Sequence, residues 1–177
     1  DENNVPDTRN ISFQIAPRIN AAGRMDHANT AFNLLKERDR VAARNLALEL
    51  EGNNQARQKA TAQIVDEVRI LANNMFKDKK FIFAVGEHFP TGIVGLASGR
   101  ISDEFNKPTA ILNKGEKEST GSFRSIPQIN IIETIEKYAE LLEKFGGHSQ
   151  AAGITIKNEN LNTLFEKLSE IIEKELE

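Results

Sequence analysis

Cysteine is absent from the 177 residues. That excludes a disulfide framework and a thiolate metal site, and makes a reducing, cytoplasmic home the expectation. Long apolar runs are lacking too. The longest, Phe81 to Val85, falls far short of the roughly 20 residues a membrane span needs, so no membrane partner is expected. Nor is there an excess of positive charge: 23 Lys and Arg stand against 26 Asp and Glu, a net charge of −3. This argues against a protein that coats nucleic acid through a broad basic surface; phosphate binding would have to be local. Neither internal repeats nor low-complexity tracts occur. The opening shows no signal-peptide pattern and no initiator methionine, and its polar DENNVPDT stretch is expected to be a cut inside a longer protein.

What is present is a globular composition, 39% hydrophobic and 28% charged, in a length that suits one domain with a helical extension. The charge is unevenly placed. Residues 1–60 hold nine basic against eight acidic side chains, the remainder fourteen against eighteen. Arginine dominates the first third, at Arg9, Arg18, Arg24, Arg38, Arg40, Arg44 and Arg57, and a guanidinium can bind phosphate through two hydrogen bonds at once, which an ammonium cannot.

Residues 10–24 contain Pro17 and Gly23 without sustained periodicity and read as a structured loop. A short helix is expected from about Ala28 to Lys36. From about Asp39 to Met75 the residues Leu46, Leu50, Ile64, Val68, Leu71 and Met75 recur at helical spacing. This predicts one long helix, or two with a break near Gly52, whose polar middle suits a helix that bridges domains or lines a cleft. After Lys80 short apolar strands alternate with helices: strands at 81–85, 108–112, 119–125 and 154–156, helices at 92–105, 129–145 and 161–176, with Gly146 stopping the second of these helices. The expected fold is α/β: a small mixed sheet with flanking helices, preceded by a loop and a long connecting helix. The expected boundaries are 1–38, 39–76 and 77–177.

Three segments could hold phosphate. APRINAAGR sets Arg18, Asn20 and Arg24 among small residues that let a backbone approach a ligand; its plain alternative is a surface turn with solvated arginines. Gly121-Ser122-Phe123-Arg124-Ser125 offers two hydroxyls, a guanidinium and backbone amides, enough for short directed contacts without a positive field, or else is a polar hairpin end. Gly146-Gly147-His148-Ser149-Gln150-Ala151-Ala152-Gly153 joins a helix end to a strand through glycines that allow a tight turn and close approach of a partner, and His148 can donate to phosphate or merely tie the turn together. Met25-Asp26-His27 and His88 lack the converging ligands a metal centre needs and are assigned to the surface. Gly92-Ile93-Val94-Gly95 opens a helix and is read as close helix–sheet packing, with Arg100 a possible contact further along.

Taken in order, APRINAAGR, the helix with Asn54, Arg57 and Gln58, GIVGLASGRI, GSFRS and FGGHSQAAGITI resemble the RecJ exonuclease family from about Ile11 to Leu176. From Lys80 onward the chain is similar to the DHH-associated domain, which DHH phosphoesterases share with the C-terminal parts of alanyl-tRNA synthetases. The resemblance implies a two-part DNA repair and recombination nuclease. A preceding DHH domain would hold two divalent metals, Mn2+ or Mg2+, and cut single strands 5′ to 3′; this chain would hold no cofactor, supply no catalytic residue and grip the strand. Its partners would be single-stranded DNA, with RNA as the alternative, and the DHH domain in cis. By matching motifs, Arg24 resembles a ligand of the 5′-terminal phosphate, with Ser122 and Arg124 completing that site and Arg18 and Asn20 beside it. Ser125 and Arg100 are included as substrate contacts, and His148 with Gly146 and Gly147 resembles the loop facing the scissile bond. One departure is Phe89-Pro90-Thr91-Gly92, where the family often has Trp-His-Pro-Gly. The other readings are a DHH phosphodiesterase of short oligonucleotides or cyclic dinucleotides, and a non-enzymatic interaction module.

Overall fold

The structure, a computed structural model, describes residues 7–25 and 27–177. It comprises two compact units, Asp1–Ala60 and Thr61–Glu177, and the boundary falls inside one long helix.

In the first unit the expected loop is helical. A π-helical turn, Asn10–Ile15, leads into α1, Ala16–Met25, followed by α2, Asn29–Lys36, and the opening turns of α3, Arg40–Met75. Pro17 and Gly23 do not interrupt the helical path: Pro17 falls where the π-helical turn passes into α1, an irregularity that suits a residue without an N–H, and Gly23 lies in the last turn of α1. Two of the small residues of APRINAAGR serve packing. Ala22 is fully buried against Ala31 and Leu50, with Ile19 and Leu34 around them, and Ala21 is equally buried. Arg18 donates to the Glu51 carboxylate and the Gln14 carbonyl, and Thr30 Oγ1 donates to Glu49 Oε1 at 2.9 Å, so α1 and α2 are both pinned to α3. α3 runs through Gly52 without a break; on its polar middle, Arg57 donates to the buried Asn54 side chain at 3.0 Å.

In the second unit five strands form one sheet in the order β1-β2-β3-β5-β4, with β1 at Ile82–Gly86, β2 at Thr109–Lys114, β3 at Glu118–Arg124, β4 at Leu142–His148 and β5 at Ala151–Lys157. Only β1 and β2 run parallel, as a helical crossover between them requires. That crossover is α4, Thr91–Phe105, ended by Asn106 in the left-handed conformation (φ 49°) and then Pro108. Strand alternation sends Phe123, Ala152, Ile154 and Ile156 to one face, where they meet Leu161, Leu164, Leu168 and Ile172 of α6 (Leu161–Glu175) and Ile131 and Ile135 of α5 (Ile131–Glu136). The opposite face receives α4 over β2 and β3. The last turns of α3 bury Ile64, Val65, Val68, Ala72 and Phe76, and the Arg69 guanidinium ties α3 to Glu104 of α4.

A second expectation fails at 129–145. Only α5 and a 3-10 turn, Ala139–Leu141, are helical there; residues 142–148 form β4, so Gly146 lies within a strand and ends no helix. The apolar spacing of Ile132, Ile135, Tyr138, Leu142 and Phe145 mimics a helix, but pairing with β5 satisfies the backbone of 142–148 instead. The glycine-histidine segment therefore joins two strands in a hairpin.

Candidate nucleic-acid interface

β3, β5 and β4 pair so that three side chains at a time line up across the uncovered part of the α4 face. One row is Arg124–Ala151–His148, the next Ser122–Gly153–Gly146. Neighbouring strands lie about 4.8 Å apart, which puts the outer members of a row about 10 Å from each other. Near the hairpin tip the central strand offers this face Ala151, Gly153 and Thr155, so the floor is low there, and Lys157 ends it. Larger groups stand on either side, and a groove of about 340 Å³ runs beside them, lined by Thr120, Ser122, Lys144, Phe145, Gly153 and Thr155.

α4 forms one wall of this trough. A Cβ at Gly95 would lie 3.1 Å from Ser122 Oγ and 3.2 Å from Arg124 Nη2, and one at Gly99 would lie 3.9 Å from Arg124 Cγ. Gly95 and Gly99 are one turn apart, so the bare stripe of α4 is the bed along which Arg124 lies. The half-buried Arg124 also donates to the Phe123 carbonyl at 2.8 Å. Arg100, exposed and five residues beyond Gly95, stands about 140° around the helix; the fold does not bring it into the row.

The hairpin tip is held from below. Ser125 N donates to the Gln150 carbonyl and Ile131 N to the Ser149 carbonyl, each at 3.0 Å, and Gln150 Nε2 donates to the Ile126 carbonyl at 3.2 Å. Ser125 Oγ donates to the Ile129 carbonyl at 2.9 Å, so its hydroxyl serves the turn. His148 is left exposed on a fixed tip. Gly147 is required by the backbone itself: its φ is +155°, and a Cβ there would sit 2.2 Å from the Ala151 carbonyl oxygen. Gly146, by contrast, has open space where a Cβ would go.

Asn20 and Arg24 belong to the first unit. Four residues apart on α1, they share one exposed face; the Arg18 guanidinium is engaged by Glu51 and Gln14. Arg18 and the Gln55 side chain both donate to the Glu51 carboxylate and hold it below the usual carboxylate range, the Gln55 bond contributing most.

Among the described residues no group of three or more His, Asp or Glu could hold a metal ion; Asp26 lies outside them. His88 Nε2 sits 2.8 Å from Glu67 at the surface. Phe89, at the position of the family departure, is a core residue packed on Gly86. No helix among the described residues is long and apolar enough to cross a membrane.

Lys144, Thr120, Thr155 and Gly153 line the trough, and of these the sequence points only to Gly153. Reading 129–145 as helix hid Lys144. Two glycines directly after a helix-like pattern, followed by alternating Ala152, Ile154 and Ile156, were the hairpin signal available.

Comparison with known proteins supplies the rest. The DHHA1 domain model matches residues 78–174. The single-stranded-DNA-specific exonuclease RecJ of Bacillus subtilis is 34% identical over 168 residues, 94% of this chain and 21% of that protein. RecJ of Thermus thermophilus, solved in complex with Mg2+, superimposes with a TM-score of 0.85 at 26% identity, covering 93% of this chain and 26% of that one. Exonuclease RecJ bound to manganese gives 0.81 at 28% identity over 92% of this chain and 40% of that one. The chain thus spans about a fifth of the length of the Bacillus protein, and the likeness reaches beyond the DHHA1 domain into the first unit.

Proposed function

Given that the chain belongs to the DHHA1 domain family and is related along nearly its whole length to RecJ exonucleases, we propose that it is the strand-holding part of a single-stranded-DNA exonuclease of the 5′-to-3′ type. One observation carries this reading: a trough floored by glycine and alanine, with Ser122 and Arg124 on one side and His148 on the other, on the sheet face left open beside α4. Such a floor admits a sugar-phosphate backbone closely. A seated guanidinium and hydroxyl give directed phosphate contacts on a chain whose net charge is negative. The exposed Asn20–Arg24 face of α1 is a further phosphate contact in the first unit, with Arg24 the ligand of the 5′-terminal phosphate.

The residues described do not fit a divalent-metal centre. Hydrolysis is assigned to a DHH domain outside these residues, which would hold the divalent metals, and no chemical step is assigned to this chain. Its contribution is positioning, which lowers a barrier without any acid or base. The first unit supports a partner domain in cis: Phe13, Phe32, Leu35, Val41 and Leu48 are all more than half exposed on it, an apolar surface that isolated domains seldom leave open.

A titration of the chain with labelled single-stranded DNA at increasing salt tests the reading. The logarithm of affinity should fall with the logarithm of salt concentration, by about 0.7 for each phosphate neutralised, and a duplex of the same sequence should bind less. Equal affinity for both, or no salt dependence, would remove the strand-holding role.

A further inference from the structure

The register of the hairpin decides which charge faces the trough. Leu142 of β4 pairs with Ile156, but Lys144 pairs with Thr155 and Phe145 with Ile154, the register shifting between Leu142 and Lys144. Counted from the tip, where His148 pairs with Ala151 and Gly146 with Gly153, Lys144 falls opposite Thr155 on the open face without any shift, and unbroken register would put Glu143 opposite Ile156, on the face occupied by α6. The bulge leaves Glu143 as the extra residue and sets Leu142 in its place on the α6 face, the kind of re-aiming that bulges produce, while Lys144 keeps the open face. Glu143 instead pairs with Lys157 at 3.5 Å. Lys144 is exposed and has no carboxylate at ion-pair distance among the described residues. Beside it, Thr155 Oγ1 lies 3.4 Å from Thr120 Oγ1. Lys144, Thr155 and Thr120 therefore form a third row across β4, β5 and β3, lining the same groove as Ser122 and Gly153.

Successive rows are two residues apart along the strands, about 7 Å, which is comparable to the separation of neighbouring phosphates in an extended single strand. We propose that the Thr120–Thr155–Lys144 row binds an internal phosphodiester of the DNA strand, adjacent to the phosphate held at Ser122 and Arg124, with Lys144 as its cation and the two threonine hydroxyls as donors. The inference rests on the strand-holding reading above and extends it: the site grips a continuous strand along β3 and β4, and a lone terminal phosphate would leave this row empty.

The test compares the salt dependence of single-strand binding in the wild-type chain and in Lys144→Ala, Lys144→Arg and Lys174→Ala, the last a control on exposed α6. Lys144→Ala should flatten the slope by about 0.7, one phosphate contact, while Lys144→Arg and Lys174→Ala keep the wild-type slope. In a positional scan with one neutral methylphosphonate linkage, a single position should weaken the wild type and cease to matter in Lys144→Ala. Thr155→Val should weaken binding with the slope retained. An unchanged slope in Lys144→Ala, alongside normal salt-dependent binding by the wild type, overturns this inference and leaves the strand-holding reading standing. Absence of salt-dependent binding in the wild type sinks that reading first, and this row with it.

Discussion

The adjacent glycines of the hairpin should separate fold from function when each is replaced by alanine. At Gly147 the φ of +155° lies in a region that side chains rarely enter, and a Cβ would overlap the Ala151 carbonyl oxygen at 2.2 Å and Ala152 Cα at 2.5 Å. Held backbone strain of this kind costs about 1–3 kcal/mol, and the overlap can be relieved only by moving β4 off β5. Against a stability on the order of 5–15 kcal/mol the loss is large. With a urea dependence of about 1–3 kcal/mol per molar, Gly147→Ala should lower the unfolding midpoint by about 1 M or more. At Gly146 no atom lies within 4 Å of the added Cβ, and Gly146→Ala should stay within about 0.5 kcal/mol of wild type. That methyl would, however, stand in the row with Gly153 and Ser122, so single-strand affinity should fall. Urea melts followed by circular dichroism, with fluorescence anisotropy of a labelled oligonucleotide, read both quantities. An unchanged midpoint for Gly147→Ala, or equal destabilisation by both variants, would refute the reasoning.

Other outcomes follow from the same geometry. Arg124→Ala should weaken single-strand binding roughly tenfold to a hundredfold, since a charge-assisted hydrogen bond is worth about 1.5–3 kcal/mol; anisotropy titration reads the loss, and wild-type affinity would remove Arg124 from the interface. Arg24→Ala should weaken 5′-phosphorylated strands more than 5′-hydroxyl strands, and equal losses would remove it from end recognition. Glu104 gives the second unit an acid-sensitive contact. The Arg69 guanidinium holds its carboxyl below the ordinary value of 4.5, so the unfolded chain takes up this proton first on acidification. The stabilisation is complete above 4.5 and fades as pH falls through the depressed value. In thermal melts Glu104→Gln should flatten that acid limb slightly, the pair being too exposed for a large effect.

The sequence by itself determined whatever depends on near neighbours. The stripe of α3, the apolar face of α6, the strand character of β1 and β2 and the candidate residues around Ser122, Arg124 and His148 could all be read, because helix and strand periodicities repeat within a few residues. Pairing between distant segments decided the rest. Residues 142–148 carry a helical spacing yet form β4 because β5 is there to bond them, and Ala21 and Ala22 are small because Leu50 and Ala31 pack in their unit. That Lys144 faces the trough follows from the register in which β4 meets β5, and since a strand alternates faces at every residue, no local pattern fixes that choice.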